Sequence, residues 1–187
     1  MRVMIKITSE KNNRHGVVYS DVTRRIELDD KTTITRDVII KKPCVVALVQ
    51  DISTLKPHAI LCNEFRVGTM KNEYGFPAGF IDEGEEPIQA IIREVIEETG
   101  MVPITVEYLG DSYTSSGFTN EHIHHFFVEV DSNNKKEQDL DHDEQISLVR
   151  IPFNDVFRYI NDGKLAGNHA HACLLKYFLK YYEYNFD

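Results

Sequence analysis

The sequence predicts an α/β fold in which helices flank a mixed sheet, preceded by a small antiparallel β-sheet region. Three observations support this prediction. The chain has 187 residues, enough for about one domain with its own core. Its first forty residues consist of short β-type runs separated by polar turns. The later strands and helices are interleaved, but they lack the regular βαβ order of a doubly wound parallel sheet.

The N-terminal region is predicted to form three short strands. The β-type runs are VMIKIT, GVVYSDVTRRIEL and TTITRDVII, with a polar turn at residues 29–31 before the third. Residues 41–43, KKP, then interrupt the pattern. We therefore predict an N-terminal β-strand region over residues 1–42 and a second domain over residues 43–187.

The second domain begins with two candidate strands of the central sheet. The run CVVALVQDI is apolar and rich in β-branched residues, which is typical of a buried strand. HAILCNEFRV has a similar pattern and is predicted to be a second strand. The polar segment GTMKNEYG that follows is predicted to be a loop.

A helix is predicted over residues 87–99, where the apolar period changes from two to about 3.6. Pro87 suits the first helical position, and Gly100 suits a left-handed cap at the end. The apolar residues recur at i, i+3, i+4, i+7 and i+8, which predicts one buried face. They are Ile88, Ile91, Ile92, Val95 and Ile96.

The remainder of the chain completes the sheet and its helices. Two strands, VPITVEYLGDSYT and HIHHFFVEV, are predicted on either side of the loop SSGFTNE. A polar surface loop over residues 131–145 leads to the strand ISLVRI. A short helix over about residues 154–161 and a final helix over about 168–184 follow.

The composition excludes several classes of protein. Thirty acidic residues against 21 Lys and Arg give a formal net charge of −9, which argues against nucleic acid and anionic membranes as partners. No run has the apolar length of a secretion signal or a membrane span, so we expect a cytoplasmic protein. The three cysteines are widely spaced and predict neither a disulfide framework nor a zinc site.

The polar side of the predicted helix carries three acids, Glu94, Glu97 and Glu98. They fall within an arc of about 100°, with Glu98 and then Glu94 nearest the apolar face. A solvated face is the simpler explanation, but like charges at i and i+4 are unfavourable, and so are acids near the negative end of the helix dipole. A bound cation would remove both penalties, and carboxylate oxygens suit Mg²⁺ or Mn²⁺.

Residues 79–101, GFIDEGEEPIQAIIREVIEETGM, resemble the box motif of the Nudix hydrolase superfamily. The matching positions are Gly79, Glu85, Arg93, Glu94, Glu97, Glu98 and Gly100, with the aliphatic residues Val95 and Met101. The resemblance implies a Nudix-type α/β/α sandwich with a mixed sheet. It also implies hydrolysis of a small-molecule substrate in which a nucleoside diphosphate is linked to another group.

The same resemblance assigns roles to the box residues. It implies that Glu94, Glu97 and Glu98 hold Mg²⁺, with Mn²⁺ as a possible substitute. It further implies that Arg93 and Glu85 pair with each other and so hold the loop and the helix together.

A narrower resemblance extends to either side of the box. The segments EFRVG and GFPAGFIDEGE are similar to the corresponding region of ADP-ribose pyrophosphatases. This implies that the Ala78 carbonyl is a further metal ligand and that Arg66 contacts the substrate. The N-terminal strands are similar to the sheet that takes part in dimers of that subgroup, so we expect a homodimer.

The general base is left open between three acids. Glu121 is favoured because ADP-ribose pyrophosphatases place a glutamate in the corresponding loop. Glu97 is the alternative because other Nudix enzymes use a glutamate of the box, and Glu144 could take the role if the loops fold differently. Gly117 and Phe118, just before Glu121, are expected to contact the substrate, with Phe118 stacking on a nucleobase.

Together these features predict a Mg²⁺-dependent pyrophosphohydrolase. The expected reaction splits the diphosphate bridge of ADP-ribose, or of a related nucleoside diphosphate sugar, into a nucleoside monophosphate and a sugar phosphate. A hydrolase of nucleoside triphosphates or dinucleotides is the enzymatic alternative. A non-catalytic module that senses nucleotide sugars is a further alternative, although the presence of all three box glutamates favours an enzyme.

Overall fold

The computed structural model describes residues 5–142 and 144–182, which divide into two compact units. The first unit contains the described residues up to Pro43 together with the segment Tyr113–His122. The second contains Cys44–Ser112 and the described residues from Ile123 onward. The sequence pattern did not indicate that residues 113–122 belong with the N-terminal region.

The first unit is built on a three-stranded antiparallel sheet, as predicted. Its strands in spatial order are β1 (Lys6–His15), β2 (Ser20–Glu27) and β3 (Thr33–Ile40). β1 is longer than predicted because its polar second half also pairs with β2, and polar residues are tolerated in a strand that is exposed throughout. The segment Tyr113–His122 joins β3, since the N–H of Ile39 donates to the carbonyl of Phe118 at 2.8 Å.

The second unit contains a seven-stranded mixed sheet, in agreement with the predicted fold class. Its path is β10-β5-β4-β9-β8, with β6 paired to β5 and β7 paired to β4. β4 runs parallel to β9 and antiparallel to its other partners. The strands are β4 (Cys44–Asp51), β5 (His58–Arg66), β6 (Lys71–Gly75), β7 (Ala78–Phe80), β8 (Pro103–Tyr113), β9 (His122–Val130) and β10 (Ser147–Pro152).

The prediction of a loop over GTMKNEYG is wrong, because part of this segment forms β6. The N–H groups of Thr69 and Met70 donate to the carbonyl of Arg66, which closes a tight turn after β5. Met70 adopts a left-handed conformation with φ of 57°, which reverses the chain so that β6 pairs with β5. Gly68 lies within this turn, but Met70, whose left-handed conformation completes the reversal, is not a typical turn residue.

The helices cover the two faces of the sheet. They are α1 (Pro87–Thr99), α2 (Val156–Asn161) and α3 (Asn168–Tyr181). Val45, Ala47 and Val49 of β4 pack in the core cluster on the α1 side. The intervening Val46 and Leu48 pack in the cluster that contains α2 and α3 residues. This alternation gives the α/β/α sandwich that the sequence resemblance implies.

α1 has the bounds that the sequence predicts. Gly100 ends it in a left-handed conformation with φ of 70°, and its N–H donates to the carbonyl of Ile96 at 2.8 Å. A Cβ at Gly100 would lie 2.2 Å from the Lys136 carbonyl oxygen, so glycine is also required for space. The buried face differs in part from the prediction, because Ile88 is exposed and Ala90 is buried instead.

The last helix also starts where the sequence predicts. It runs from Asn168 to Tyr181, and the predicted extension to residue 184 reaches beyond the described residues. None of the helices in the described ranges combines the length and apolar character needed to cross a bilayer.

β4 changes its pairing partner halfway along, and this shapes one end of the sheet. Residues 44–46 pair with β7, whereas residues 49–51 pair with β5. Between the two, the N–H of Ala47 donates to the carbonyl of Pro77 at 2.9 Å. β7 therefore occupies a fork between β4 and β5, and it contacts α1.

Asp51 is a fully buried carboxylate at the end of β4. Its two oxygens accept hydrogen bonds from the N–H and hydroxyl groups of Ser53 and Ser132, at 2.7–3.1 Å. Arg150 donates its Nε–H to the same carboxylate at 2.7 Å. Burial alone would raise the pKa of Asp51, but these hydrogen bonds outweigh burial and lower the pKa to about 2.

Replacement of Asp51 by Asn is expected to lower the free energy of unfolding at pH 7 by about 2 kcal/mol. The folded pKa lies below the ordinary value, so the ionised carboxylate stabilises the fold fully above about pH 4. This contribution is lost as the pH falls from about 4 to about 2. Urea denaturation at several pH values measures both effects, since the variant should lose this part of the pH dependence.

The matched control is Asp155→Asn. Asp155 forms an exposed ion pair with Arg158 at 2.8 Å, so its replacement is expected to change stability by less than about 0.5 kcal/mol. Equal effects of the two substitutions would show that the buried network around Asp51 contributes no more to stability than an exposed ion pair does.

Candidate active site

The acidic face of α1 is partly buried, and its order of burial matches the helical geometry. Glu98 is 4% exposed and Glu94 is 7% exposed, whereas Glu97 is more open to solvent. Burial raises the pKa of Glu98 to about 8 and that of Glu94 to about 7. Two buried carboxylates close to each other are a costly arrangement, which indicates a requirement beyond folding.

Glu98 is held by two donors on the same oxygen. The N–H of Ala78 donates to Glu98 Oε2 at 3.2 Å, and the thiol of Cys62 donates to it at 3.4 Å. Burial and the neighbouring Glu98 raise the pKa of the Cys62 thiol well above its usual range, so the thiol stays protonated. Sequence reasoning did not assign Cys62 to the site, although alternation along β5 places Cys62, Glu64 and Arg66 on one face.

Glu94 packs its carboxyl group directly against the backbone of Gly79 in β7. A Cβ built at position 79 would lie 2.0 Å from Glu94 Oε1 and 2.1 Å from Glu94 Cδ. The absence of a side chain at Gly79 therefore creates the space in which this carboxylate lies. This contact gives a physical reason for glycine at the first position of the box.

Arg93 connects the loop before α1 with the acidic face. Its Nε and Nη2 donate to the two oxygens of Glu85, both at 3.1 Å, which is the pairing that the resemblance implies. Nη2 also donates to the carbonyl of Phe80 at 2.9 Å, and Nη1 donates to Glu94 at 2.7 Å and to Glu97 at 2.9 Å. The hydrogen bonds from Arg93 lower the pKa of Glu85.

The acidic face of α1 offers oxygen donors to a divalent ion. Within residues 5–142 and 144–182, no three His, Cys, Asp or Glu side chains form a ready-made metal cluster, and Glu97 is directed to Arg93. The donors nevertheless suit a hard cation, because they are carboxylate oxygens, two of them buried and of like charge. The cradle at Gly79 and the donors on Glu98 Oε2 also fix these two carboxylates in place. The residues present therefore fit Mg²⁺ or Mn²⁺.

The charge of Glu144 acts on the two buried carboxylates. Its charge raises the pKa of both Glu94 and Glu98, which places it within electrostatic range of each. Its own loop is closed by a hydrogen bond from the N–H of Glu144 to the carbonyl of Asp141 at 2.9 Å. The acid that the sequence ranked last among the three candidate bases thus acts electrostatically on the acidic face of α1.

The predicted substrate residue Arg66 lies at the end of β5. It is exposed, and its Nη1 forms an ion pair with Glu64 at 2.9 Å. The charge of Arg66 acts on the Cys62 thiol, so the guanidinium belongs to the same end of the second unit as Glu98. A contact between Arg66 and substrate stays a prediction.

Glu121, Gly117 and Phe118 belong to the first unit. Glu121 forms an ion pair with Lys41 through Oε1, and its Oε2 accepts a hydrogen bond from the Thr114 hydroxyl at 2.7 Å. Phe118 exposes 56% of its surface, and a Cβ at Gly117 would meet nothing within 4 Å. The roles proposed for these three residues in catalysis and substrate binding stay predictions.

β7, which splits the mixed sheet, and α1, which carries the buried carboxylates beside it, both belong to the second unit. The family model of the NUDIX domain matches residues 43–174 of this chain. The chain therefore belongs to the Nudix family.

Comparison with known proteins agrees with this assignment. The ADP-ribose pyrophosphatase of Bacillus subtilis is 30% identical over 145 residues, covering 78% of this chain and 77% of the relative. A GDP-mannose pyrophosphatase of Yersinia enterocolitica is 34% identical over 114 residues, covering 57% and 59%. The methanol dehydrogenase activator of Bacillus methanolicus is 26% identical over 166 residues, covering 87% and 89%.

A solved structure supports the fold independently. The crystal structure of an ADP compounds hydrolase superimposes with a TM-score of 0.78 and covers 94% of this chain and 93% of its own. Its sequence identity is 18%, so this likeness concerns the fold alone.

Proposed function

We propose that this protein is a divalent metal-dependent pyrophosphohydrolase whose substrate is ADP-ribose or a related nucleoside diphosphate sugar. The products would be a nucleoside monophosphate and a sugar phosphate. The observation that carries the proposal is the buried pair Glu94 and Glu98 on α1, held beside the fork of the sheet by Gly79 and Ala78. The similarity to an ADP-ribose pyrophosphatase over most of both chains supports the substrate class.

Glu94 and Glu98 would hold Mg²⁺, and Glu97 and the Ala78 carbonyl are the further ligands that we propose. Bound there, Mg²⁺ would offset the negative charge of the diphosphate and increase the acidity of water. Arg93 would hold Glu94 and the loop before α1 in fixed relative positions, because it donates hydrogen bonds to Glu85, to Glu94 and to the carbonyl of Phe80.

We propose Glu144 as the general base. Its carboxylate lies within electrostatic range of Glu94 and Glu98, where a water molecule attacking the diphosphate would need to lose a proton. Glu97 is less suited because Arg93 donates to its carboxylate at 2.9 Å. Glu121, which the sequence favours, forms an ion pair with Lys41 and accepts a hydrogen bond from Thr114 at 2.7 Å. The hydrogen bond that Glu144 Oε2 accepts from the N–H of Asp141 is longer, at 3.3 Å.

Replacement of Glu144 by Gln is expected to lower kcat by about 10²- to 10³-fold and to change KM by less than about twofold. Gln keeps the size of the side chain but cannot accept the proton. Steady-state kinetics at saturating Mg²⁺ measure both constants. Glu121→Gln is the comparison variant, and a larger loss of kcat in that variant would transfer the role to Glu121.

The substrate class is tested by measuring kcat/KM for ADP-ribose, GDP-mannose, UDP-glucose, NADH and ATP at one Mg²⁺ concentration. We expect kcat/KM for the nucleotide sugars to exceed kcat/KM for ATP by at least about 100-fold. Phosphorus NMR should show a nucleoside monophosphate and a sugar phosphate as the products. Preference for ATP or NADH would instead support the triphosphate or dinucleotide alternative. Tight binding of a nucleotide sugar without any product would support the sensing module.

Three further predictions accompany this proposal. We propose a homodimer that uses the N-terminal β-strand region, with light scattering of the full chain as its test. We also propose Mg²⁺ as the physiological ion, consistent with the oxygen donors, and the cytoplasm as the location.

A further inference from the structure

We infer that Cys62 is a positioning residue for Glu98, whose thiol orients this carboxylate for metal binding. The inference rests on the proposed function, because it takes Glu98 to be a metal ligand. It adds a role for a residue of β5 that lies outside the box motif.

The backbone of Cys62 is fixed from both sides within the sheet. β5 lies between β6 and β10, and Cys62 pairs with Gly75 on one side and with Leu148 on the other. The side chain is 4% exposed, so the sulfur cannot move aside into solvent. The thiol therefore presents its hydrogen to Glu98 from a rigid position.

Two hydrogen bonds to the Glu98 carboxylate converge on one of its oxygens. Oε2 accepts from the Cys62 thiol at 3.4 Å and from the Ala78 N–H at 3.2 Å. Two donors on one oxygen fix the rotation of the carboxylate about its terminal bond and direct Oε1 away from them. Oε1 is thereby the oxygen best placed to bind an ion.

The same arrangement links two of the proposed ligands. The N–H of Ala78 binds Glu98, while the carbonyl of Ala78 is itself proposed to bind the metal. Hydrogen bonds that orient ligands in this way commonly change metal affinity by about 10- to 100-fold when they are removed. A thiol is a weak donor, so we expect an effect at the lower end of this range.

The experiment compares four proteins for Mn²⁺ binding, measured from the free-ion signal in electron paramagnetic resonance without substrate. Cys62→Val keeps an apolar side chain of similar size but removes the donor, and Mn²⁺ affinity is expected to fall by about 10-fold. Cys62→Ser keeps a donor and is expected to retain affinity within about threefold of the parent. Glu98→Gln serves as the reference for loss of the ligand itself.

A control and a second measurement separate positioning from packing. Cys173 is fully buried and donates to the carbonyl of Phe126, away from the acidic face, so Cys173→Val should alter stability without altering Mn²⁺ affinity. The S–H stretching band in the Raman spectrum of the metal-free protein reports the hydrogen bond directly. The band of Cys62, identified by its loss in Cys62→Ser, is expected to shift in Glu98→Gln.

The outcomes distinguish this inference from the proposed function. Unchanged Mn²⁺ affinity in Cys62→Val, or an equal loss in Cys62→Ser and Cys62→Val, would overturn the positioning role while leaving Glu98 as a ligand. Unchanged affinity in Glu98→Gln would overturn the proposed function and the inference together.

Discussion

Glu98→Gln is expected to lower kcat by about 10³-fold at saturating Mg²⁺, equivalent to about 4 kcal/mol of lost transition-state stabilisation. The substitution removes the more deeply buried of the two carboxylates on α1. It retains the side-chain volume and an oxygen that can accept from the N–H of Ala78. The loss should therefore come from the missing charge and not from a change in fold.

The measurement is kcat for the best nucleotide sugar across a Mg²⁺ titration, together with the midpoint of thermal unfolding. The midpoint should stay within about 3 °C of the parent. Glu107→Gln is the matched control, because Glu107 forms an ion pair with Lys180 on the surface and its replacement should leave kcat unchanged. Near-normal turnover of Glu98→Gln at saturating Mg²⁺ would remove Glu98 from the ligand set.

Gly79→Ala is expected to raise the Mg²⁺ concentration for half-maximal activity by at least about 10-fold. The added methyl group would lie 2.0 Å from Glu94 Oε1, so the carboxylate must leave its cradle. The three atoms nearest to the added methyl group all belong to the carboxyl end of the Glu94 side chain. The protein should therefore remain folded while the proposed metal ligand is displaced.

Two further variants test whether the lower Mg²⁺ affinity comes from displacement of the Glu94 carboxylate. Gly68→Ala is the control, since a Cβ at Gly68 would meet nothing within 4 Å. Shortening the displaced acid in Gly79→Ala/Glu94→Asp should recover part of the Mg²⁺ affinity lost in Gly79→Ala, because the shorter side chain leaves room for the methyl group. A Mg²⁺ dependence of Gly79→Ala equal to that of the parent would contradict the proposed position of the ion.

Much of the fold follows from local sequence patterns. Pro87 and Gly100 mark the ends of α1, and the continuous apolar run of β4 predicts a strand buried on both faces. β6 was missed because its turn depends on Met70 in a left-handed conformation, which few side chains favour. The membership of residues 113–122 in the first unit was missed because it depends on pairing with β3, far away in the sequence.

The site was predictable to the extent that it lies on one helix. Helical geometry alone ranks Glu98 and Glu94 as the innermost acids, and their burial confirms that order. Cys62 and Glu144 come from a strand and a loop distant in sequence, so their interactions with Glu98 depend on tertiary packing. The position of Glu94 against Gly79 likewise becomes visible only once β7 is placed in the fork.

The discontinuous first unit has a consequence for synthesis of the chain. β1–β3 are made early, but the segment Tyr113–His122 that completes their unit is translated roughly 80 residues later. At about 5–20 residues per second, the ribosome needs on the order of 4–16 s to reach it. The nascent N-terminal strands must wait for that interval, so a fragment that stops before residue 113 should expose their unfinished edge to chaperones and to aggregation.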